Sequence, residues 1–188
     1  MWKVSVLLLL VAFGARAEEE FTVYDLLAPD THRFAIVYDV ATWAEGSPFF
    51  FNPIRRGSKV SDERVLDQAT GKPLQFEIVD AKAAGKSGDG QYLKVILAAP
   101  VPKGGQARIR IYKTYEDAAS YGAQGGGIVF ERPLGIRRNV VVLPAGYELT
   151  ACTVPAIVST QPDGRVRVSM LNDRHDQLPV KIAARRLP

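Results

Sequence analysis

Apolar and polar positions alternate with a period of two along much of the chain. Val166, Val168 and Met170 fall on one side of a strand, with Arg165, Arg167 and Ser169 on the other; Ala107, Ile109 and Ile111 oppose Arg108, Arg110 and Tyr112 in the same way. This is the signature of a half-buried strand with one core face and one wet face. Leu74, Phe76 and Ile78 repeat it, and residues 21–27, 34–40, 63–67, 92–97, 147–152 and 180–184 are further short β-rich runs. Residues 140–143 are continuously apolar and β-branched, which predicts a more central strand. Heptads, internal repeats and a helix of ordinary length are not found.

Turn chemistry punctuates these runs. Gln161-Pro162-Asp163-Gly164 presets φ at Pro and offers Gly for a positive φ, so it predicts a hairpin. Residues 68–73 predict another, between strands at 63–67 and 74–79. Phe49, Phe50 and Phe51 lie between Pro48 and Pro53; because Pro cannot donate to a ladder, the segment reads as an edge strand or a loop packed by its aromatics. Residues 81–90, rich in Ala, Gly, Lys and Ser, read as a mobile tip. Residues 116–127 read as a loop or one short helical turn near Ala118, with the Gly125-Gly126-Gly127 run supplying flexibility, and residues 172–177 as a polar turn. About ten or eleven short strands at this spacing predict an all-β chain, a β-sandwich of immunoglobulin-like or related Greek-key topology, with an open β-barrel as the alternative.

The amino terminus changes the picture of where such a domain works. Lys3, the apolar run 4–13 and Ala15-Arg16-Ala17 match the three parts of a signal peptide, so cleavage is expected after Ala17, leaving a single domain at 18–188 that is periplasmic or secreted. No later stretch could span a membrane as a helix. The leader contains Lys3 and Arg16, and its removal lowers the net charge from +4 to +2, which argues against a nucleic-acid partner. Cys152 is the only cysteine, so no intrachain disulfide is expected, and its apolar neighbours suggest a buried, inert thiol.

Candidate chemistry is sparse. Gly85-Lys86-Ser87 lacks the earlier Gly and the following helix of a phosphate-binding loop. His32 and His175 have no Cys or second His at ligand spacing, so no metal site or cofactor is expected; the oxygen-rich run 172–176 lacks the Gly and distant Glu of a calcium loop. No Ser sits in a nucleophile elbow, and a hydrolase built on His175 with Asp173 or Asp176 ranks lowest. Arg108, Arg110, Arg165 and Arg167, with Lys181, would form a basic stripe for an anionic ligand if their strands were neighbours; Glu77, Asp80 and Glu148 could instead pair across strands to make a mixed face.

Several pieces resemble the β-sandwich domain that precedes the catalytic domain in zinc aminopeptidases of the glycyl-aminopeptidase type: residues 29–34 (PDTHRF), 71–74 (GKPL), 108–117 (RIRIYKTYED) and 127–130 (GIVF). The Trp-Pro-Gly segment of that domain is missing near Phe49, and the His-Glu-x-x-His helix that binds zinc is absent from the sequence. The resemblance implies a sandwich without the enzyme.

Together these readings predict an exported, non-catalytic module that binds a protein partner in the cell envelope, using exposed sheet edges and an aromatic patch of Trp43, Phe49, Phe50 and Phe51. The alternative is a carbohydrate or other small polar ligand held in a cleft lined by Trp43, Tyr115 and Tyr121.

Overall fold

A computed structural model describes residues 20–188; the expected signal peptide lies outside the described residues. Fourteen strands are present among them: β1 (Phe21–Leu26), β2 (Arg33–Thr42), β3 (Phe49–Ile54), β4 (Lys59–Asp67), β5 (Phe76–Asp80), β6 (Gln91–Ile96), β7 (Ala107–Glu116), β8 (Tyr121–Gln124), β9 (Gly127–Leu134), β10 (Arg138–Val142), β11 (Tyr147–Cys152), β12 (Ile157–Thr160), β13 (Val166–Leu171) and β14 (Leu178–Arg186). A single 3-10 turn, Pro29–Thr31, joins β1 to β2.

Three open sheets result. One has seven strands in the order β12-β13-β10-β1-β2-β7-β4, one has four in the order β11-β14-β9-β8, and one has three in the order β3-β6-β5. Their inward residues form one core cluster, so the large sheet is one layer of a sandwich and the two smaller sheets supply the other. Phe34 of β2 packs edge-on against Phe130 of β9 with ring centroids 5.6 Å apart, and Tyr24 of β1 meets the same ring at 5.6 Å. The sandwich reading therefore holds, and none of the sheets closes into a barrel.

Strand periodicity sets the faces. Thr22, Tyr24 and Leu26 point inward from β1, and Phe34, Ile36, Tyr38 and Val40 from β2. The central strand expected at 140–143 is β10, buried along nearly its whole length and paired with β13 on one side. Its other neighbour, β1, runs parallel to it. The β12–β13 hairpin forms over Gln161-Pro162-Asp163-Gly164 as expected, with Gly164 at φ 82°. β3 is an outer strand of its sheet, which is how Pro53 is accommodated.

Three local expectations are corrected. The turn at 68–73 does reverse the chain, with Leu66 bridging Pro73, but β4 then pairs with β7 and β5 with β6, so the chain changes sheets there. The stretch 116–127 is neither loop nor helical turn throughout: Gly125 and Gly126, at φ 58° and 78°, make a two-residue turn that closes the β8–β9 hairpin. Two adjacent residues at positive φ are what such a turn demands, so the glycines here give tightness rather than flexibility. Residues 81–90 begin with a hydrogen-bonded turn, the Ala83 and Ala84 amides donating to Asp80 and the Lys86 amide to Ala81, with Ala81 buried. The backbone bonds of that turn are satisfied internally.

Candidate binding cavity

The alternation along β7 runs past Tyr112. In phase with Ile109 and Ile111 come Lys113 and Tyr115, so a lysine occupies a core position and is 7% exposed. β9 repeats the pattern: Ile128, Phe130 and Leu134 point inward, and between the last two so does Arg132, also 7% exposed. The third polar contribution is Asn52 on β3, in phase with Phe50 and Ile54. Two buried cations and an amide are therefore delivered to the interior by strands from all three sheets.

They meet at a cavity of about 340 Å³. Its floor is the large sheet, through Thr22 and Tyr24 of β1, Ile36 and Tyr38 of β2, and Lys113 and Tyr115 of β7; its roof is Asn52, Pro53 and Arg55 on one side and Arg132 and Pro133 on the other. The opening follows from the split second layer. β8 begins at Tyr121, opposite Phe130, so Arg132 lies beyond the end of β8 and the roof is unpaired there. On the far side of Lys113, β4 bulges between Ser61 and Arg64, with Asp62 at φ 60°, a distortion that interrupts pairing next to the lysine.

The two cations are held differently. Arg132 donates to Asp117 Oδ2 at 3.2 Å and lies over the rings of Tyr115 and Phe34, 5.3 and 5.5 Å from their centroids. Asp117 also accepts from Ser58 and Ser120 at 2.9 and 2.8 Å, and the Arg55 guanidinium is 3.8 Å away. Burial alone would raise the Asp117 carboxyl; the hydrogen bonds from Ser120 and Ser58 and the charges of Arg132 and Arg55 outweigh it and hold the group below the usual carboxylate range. Lys113, by contrast, donates to the neutral Asn52 Oδ1 at 2.6 Å, and its ammonium lies 4.9 Å from the Tyr115 ring centroid. No carboxylate of the described residues makes an ion pair with it. Burial pushes the Lys113 ammonium below the normal lysine range, with Tyr115 and Glu63 opposing and Arg132 reinforcing the shift. Burial also lowers Arg132, yet a guanidinium remains charged.

Hydroxyls complete the lining. Tyr38 donates to Glu20 at 3.1 Å, and Tyr115 accepts from the Arg55 amide at 3.2 Å. Thr22 Oγ1 is 2% exposed as a residue and has no protein partner, as does Asn139 Oδ1 on the neighbouring strand. No Asp, Glu or His lines the cavity. Its polar groups are mainly donors, and the one carboxylate nearby is already engaged. An acceptor-rich anion is the guest such a lining suits.

Of the residues singled out from the sequence, Tyr115 alone belongs to this site. Tyr121 is buried beside it but donates to the Leu27 carbonyl at 2.6 Å, and neither it nor Trp43 lines the cavity, so the Trp43–Tyr115–Tyr121 cleft does not form as expected. The three phenylalanines divide between faces: Phe50 packs on the core, while Phe49 and Phe51 lie on the other face with rings 6.5 Å apart and Lys94 over Phe49 at 4.4 Å. Strand alternation splits the patch.

The basic stripe is likewise divided. Arg108 and Arg110 on β7 are separated from Arg167 on β13 and Arg165 just before it by β2, β1 and β10. Acids occupy the gap: Arg110 makes a two-pronged pair with Asp39 at 2.6 Å, and Arg165 reaches Asp25 at 2.5 Å and Asp163 at 2.7 Å. Arg167 donates to Ser169 Oγ at 3.4 Å, and Lys181 pairs with Glu131 at 2.8 Å. Glu77 pairs with Lys94 and Glu148 with Arg185 across strands, which is the mixed solvated face. Cys152 is half-buried opposite Ile182 rather than fully enclosed.

A second hollow of about 740 Å³ holds His175, Asp173 and Asp176, and shares Gly135 and Gln177 with the first. No hydroxyl or thiol lines it, so the acid, imidazole and nucleophile of the hydrolase reading are not assembled there. The 172–176 turn spends its oxygens locally: Asn172 Oδ1 accepts from the Arg174 amide, and Arg174 pairs with Asp176 at 3.1 Å. Among the described residues no group of three or more His, Cys, Asp or Glu side chains could hold a metal ion, and no helix is long and apolar enough to cross a membrane.

No protein-family description matches the chain, and neither does any curated protein sequence. Solved structures do. A mutant two-domain M1 zinc metallopeptidase bound to L-tryptophan aligns with a TM-score of 0.55 at 12% identity, covering 88% of this chain and 41% of that one. A mutant M1 zinc metallopeptidase from Deinococcus radiodurans aligns with a TM-score of 0.54, again at 12% identity and with the same coverage of 88% and 41%. The chain thus spans 41% of the length of these peptidases, and at this identity the likeness is one of fold. The kinship to a zinc-peptidase architecture noted from the sequence is present in the backbone.

Proposed function

We propose that this protein is an exported, non-catalytic β-sandwich module that binds a small organic anion in the cavity between its layers. The observation that carries the reading is Lys113: a buried ammonium whose only polar partner is a neutral amide. An uncompensated charge costs several kcal/mol in an interior, and a guest of opposite sign recovers part of that cost. The partnerless Thr22 hydroxyl supports the same reading. Absence of an acid or imidazole from the lining favours binding over hydrolysis, and the leader-like amino terminus supports export.

Thermal denaturation in the presence of small organic and inorganic anions tests it. A ligand specific to the native state should raise the melting temperature saturably, by about 2.7 kcal/mol of stability at a hundredfold excess over Kd. The effect should vanish in Lys113→Met. Equal, non-saturating shifts in wild type and variant would remove the proposal.

A protein partner is the second reading, favoured by β12. This four-residue strand ends the large sheet, and Ile157 on it is 75% exposed. An open edge with exposed branched side chains suits strand addition. Cross-linking of the exported protein in its envelope should recover one stoichiometric protein with wild type and lose it with Ile157→Lys.

A further inference from the structure

Building on the cavity as an anion site, we infer that its ligand is a monocarboxylate with an apolar body, not a phosphate ester or a sugar. Charge decides the valence. Arg132 and Arg55 share Asp117, at 3.2 and 3.8 Å, which leaves Lys113 as the cation without an ionic partner. One negative charge balances it, whereas a dianion would leave a surplus charge in a low-dielectric interior, with its own desolvation cost.

The donors point the same way. Phosphate is characteristically cradled by backbone amides at a helix N-terminus or in a nest. The described chain has no α-helix, and the charged donors at this cavity are side chains. A sugar needs acceptors as much as donors, but Asn52 Oδ1 already accepts from Lys113, and Asp117 from Ser58, Ser120 and Arg132.

The walls set the remainder of the molecule. Rings of Tyr24, Tyr38 and Tyr115 with Ile36 and Ile136 surround the space, so the part of the ligand away from its charge is apolar. A volume of about 340 Å³ would hold on the order of ten waters, which limits the guest to roughly ten non-hydrogen atoms. The carboxylate meets the Lys113 ammonium, and Thr22 Oγ1 supplies a second hydrogen bond.

Isothermal titration of the purified protein at neutral pH tests the assignment with five probes: 3-phenylpropanoate, its primary amide, phenyl phosphate, glucuronate and inorganic phosphate. Phenylpropanoate should bind with a Kd of about 1 mM or tighter, and each of the others at least tenfold more weakly. Lys113→Met should lose at least tenfold in phenylpropanoate affinity, and Thr22→Val a few-fold, while both keep a cooperative unfolding transition. Should Lys113→Met not fold, Lys113→Arg, which retains the charge, must still prefer the carboxylate to its amide. Phenyl phosphate or glucuronate binding as tightly as the carboxylate, through Lys113, would overturn the ligand class and leave the anion site standing. Equal binding of the amide, or no binding by any probe, would overturn both.

Discussion

Lys113 on β7 and Asn52 on β3 are joined by a 2.6 Å hydrogen bond that crosses the sandwich from the seven-stranded sheet to the three-stranded one. It is the lysine's one polar contact among the described residues, and it satisfies a donor without neutralising the charge. A site of this kind trades stability for a place to bind.

That trade is measurable. Lys113→Met keeps most of the side-chain volume and removes a buried charge, so it should leave ligand-free stability unchanged or raise it by about 1–4 kcal/mol. Asn52→Leu takes away the acceptor and strands the ammonium, and should cost about 1–3 kcal/mol. Urea denaturation of the three proteins should place their midpoints in the order Met variant, wild type, Leu variant, with the first two allowed to coincide.

The lysine also predicts a pH dependence. Its pKa is lowered in the folded state, so between that value and the unfolded value of about 10.4 the unfolded chain holds more protons. Stability should then rise with pH across this window, with a slope of at most about 1.4 kcal/mol per pH unit. Below it, the cost of burying the charged form is present in full. The stability gap between wild type and Lys113→Met should accordingly narrow as pH is raised towards about 10; a gap that stays constant would show that the lysine is not the group responsible.

Asp117 behaves oppositely. Its folded pKa is lowered, so its contribution is present above the unfolded value of about 3.9 and lost as pH falls through the folded value. Asp117→Ala removes the acceptor shared by Arg132, Ser58 and Ser120 and leaves Arg132 buried and unpaired. The expected loss is about 3–5 kcal/mol, read from chemical denaturation at neutral pH.

On the outer face the effects should be small. Arg110→Ala breaks the pair with Asp39, but both side chains are partly solvated, so the cost should stay below about 1 kcal/mol and shrink further in high salt. Anion binding should be unchanged, since Arg110 does not line the cavity.

The β8–β9 turn offers a test of the fold. Gly126 sits at φ 78°, where a Cβ is strained although nothing crowds it. Gly126→Ala should cost about 1–2 kcal/mol, and Gly126→Asn less, because Asn tolerates the left-handed region. Equal losses from the two would argue that the turn is not of this type.

Much of this was readable in the chain. Alternation at 165–170 and 107–112 and the Pro-Asp-Gly turn predicted β7, β13 and the hairpin before β13, and these are where the strands run. The cavity's cations were legible too, though they went unread: carrying the phase of Ile109 and Ile111 two steps further puts Lys113 inside, and the phase of Ile128 and Phe130 does the same for Arg132. A charge at a core phase is a signal, and outward arginines drew attention away from it. The Gly125-Gly126 pair was a hairpin cue misread as slack.

Local order is thus written in short-range sequence, because strand faces and turns depend on residues two to four positions apart. The composition and period of this chain by themselves determine an all-β polypeptide with its greasy residues on one side of each strand. Which strands become neighbours is another matter. The parallel meeting of β1 with β10, and the arrival of Asn52, Lys113 and Arg132 from three sheets around one space, join residues tens of positions apart. Such placement is settled only when the layers pack, since burial against a partner surface, not local preference, decides which distant strands pair. Until then a lysine in phase with isoleucines is only a lysine; enclosed opposite an amide, it becomes a charge in search of an anion.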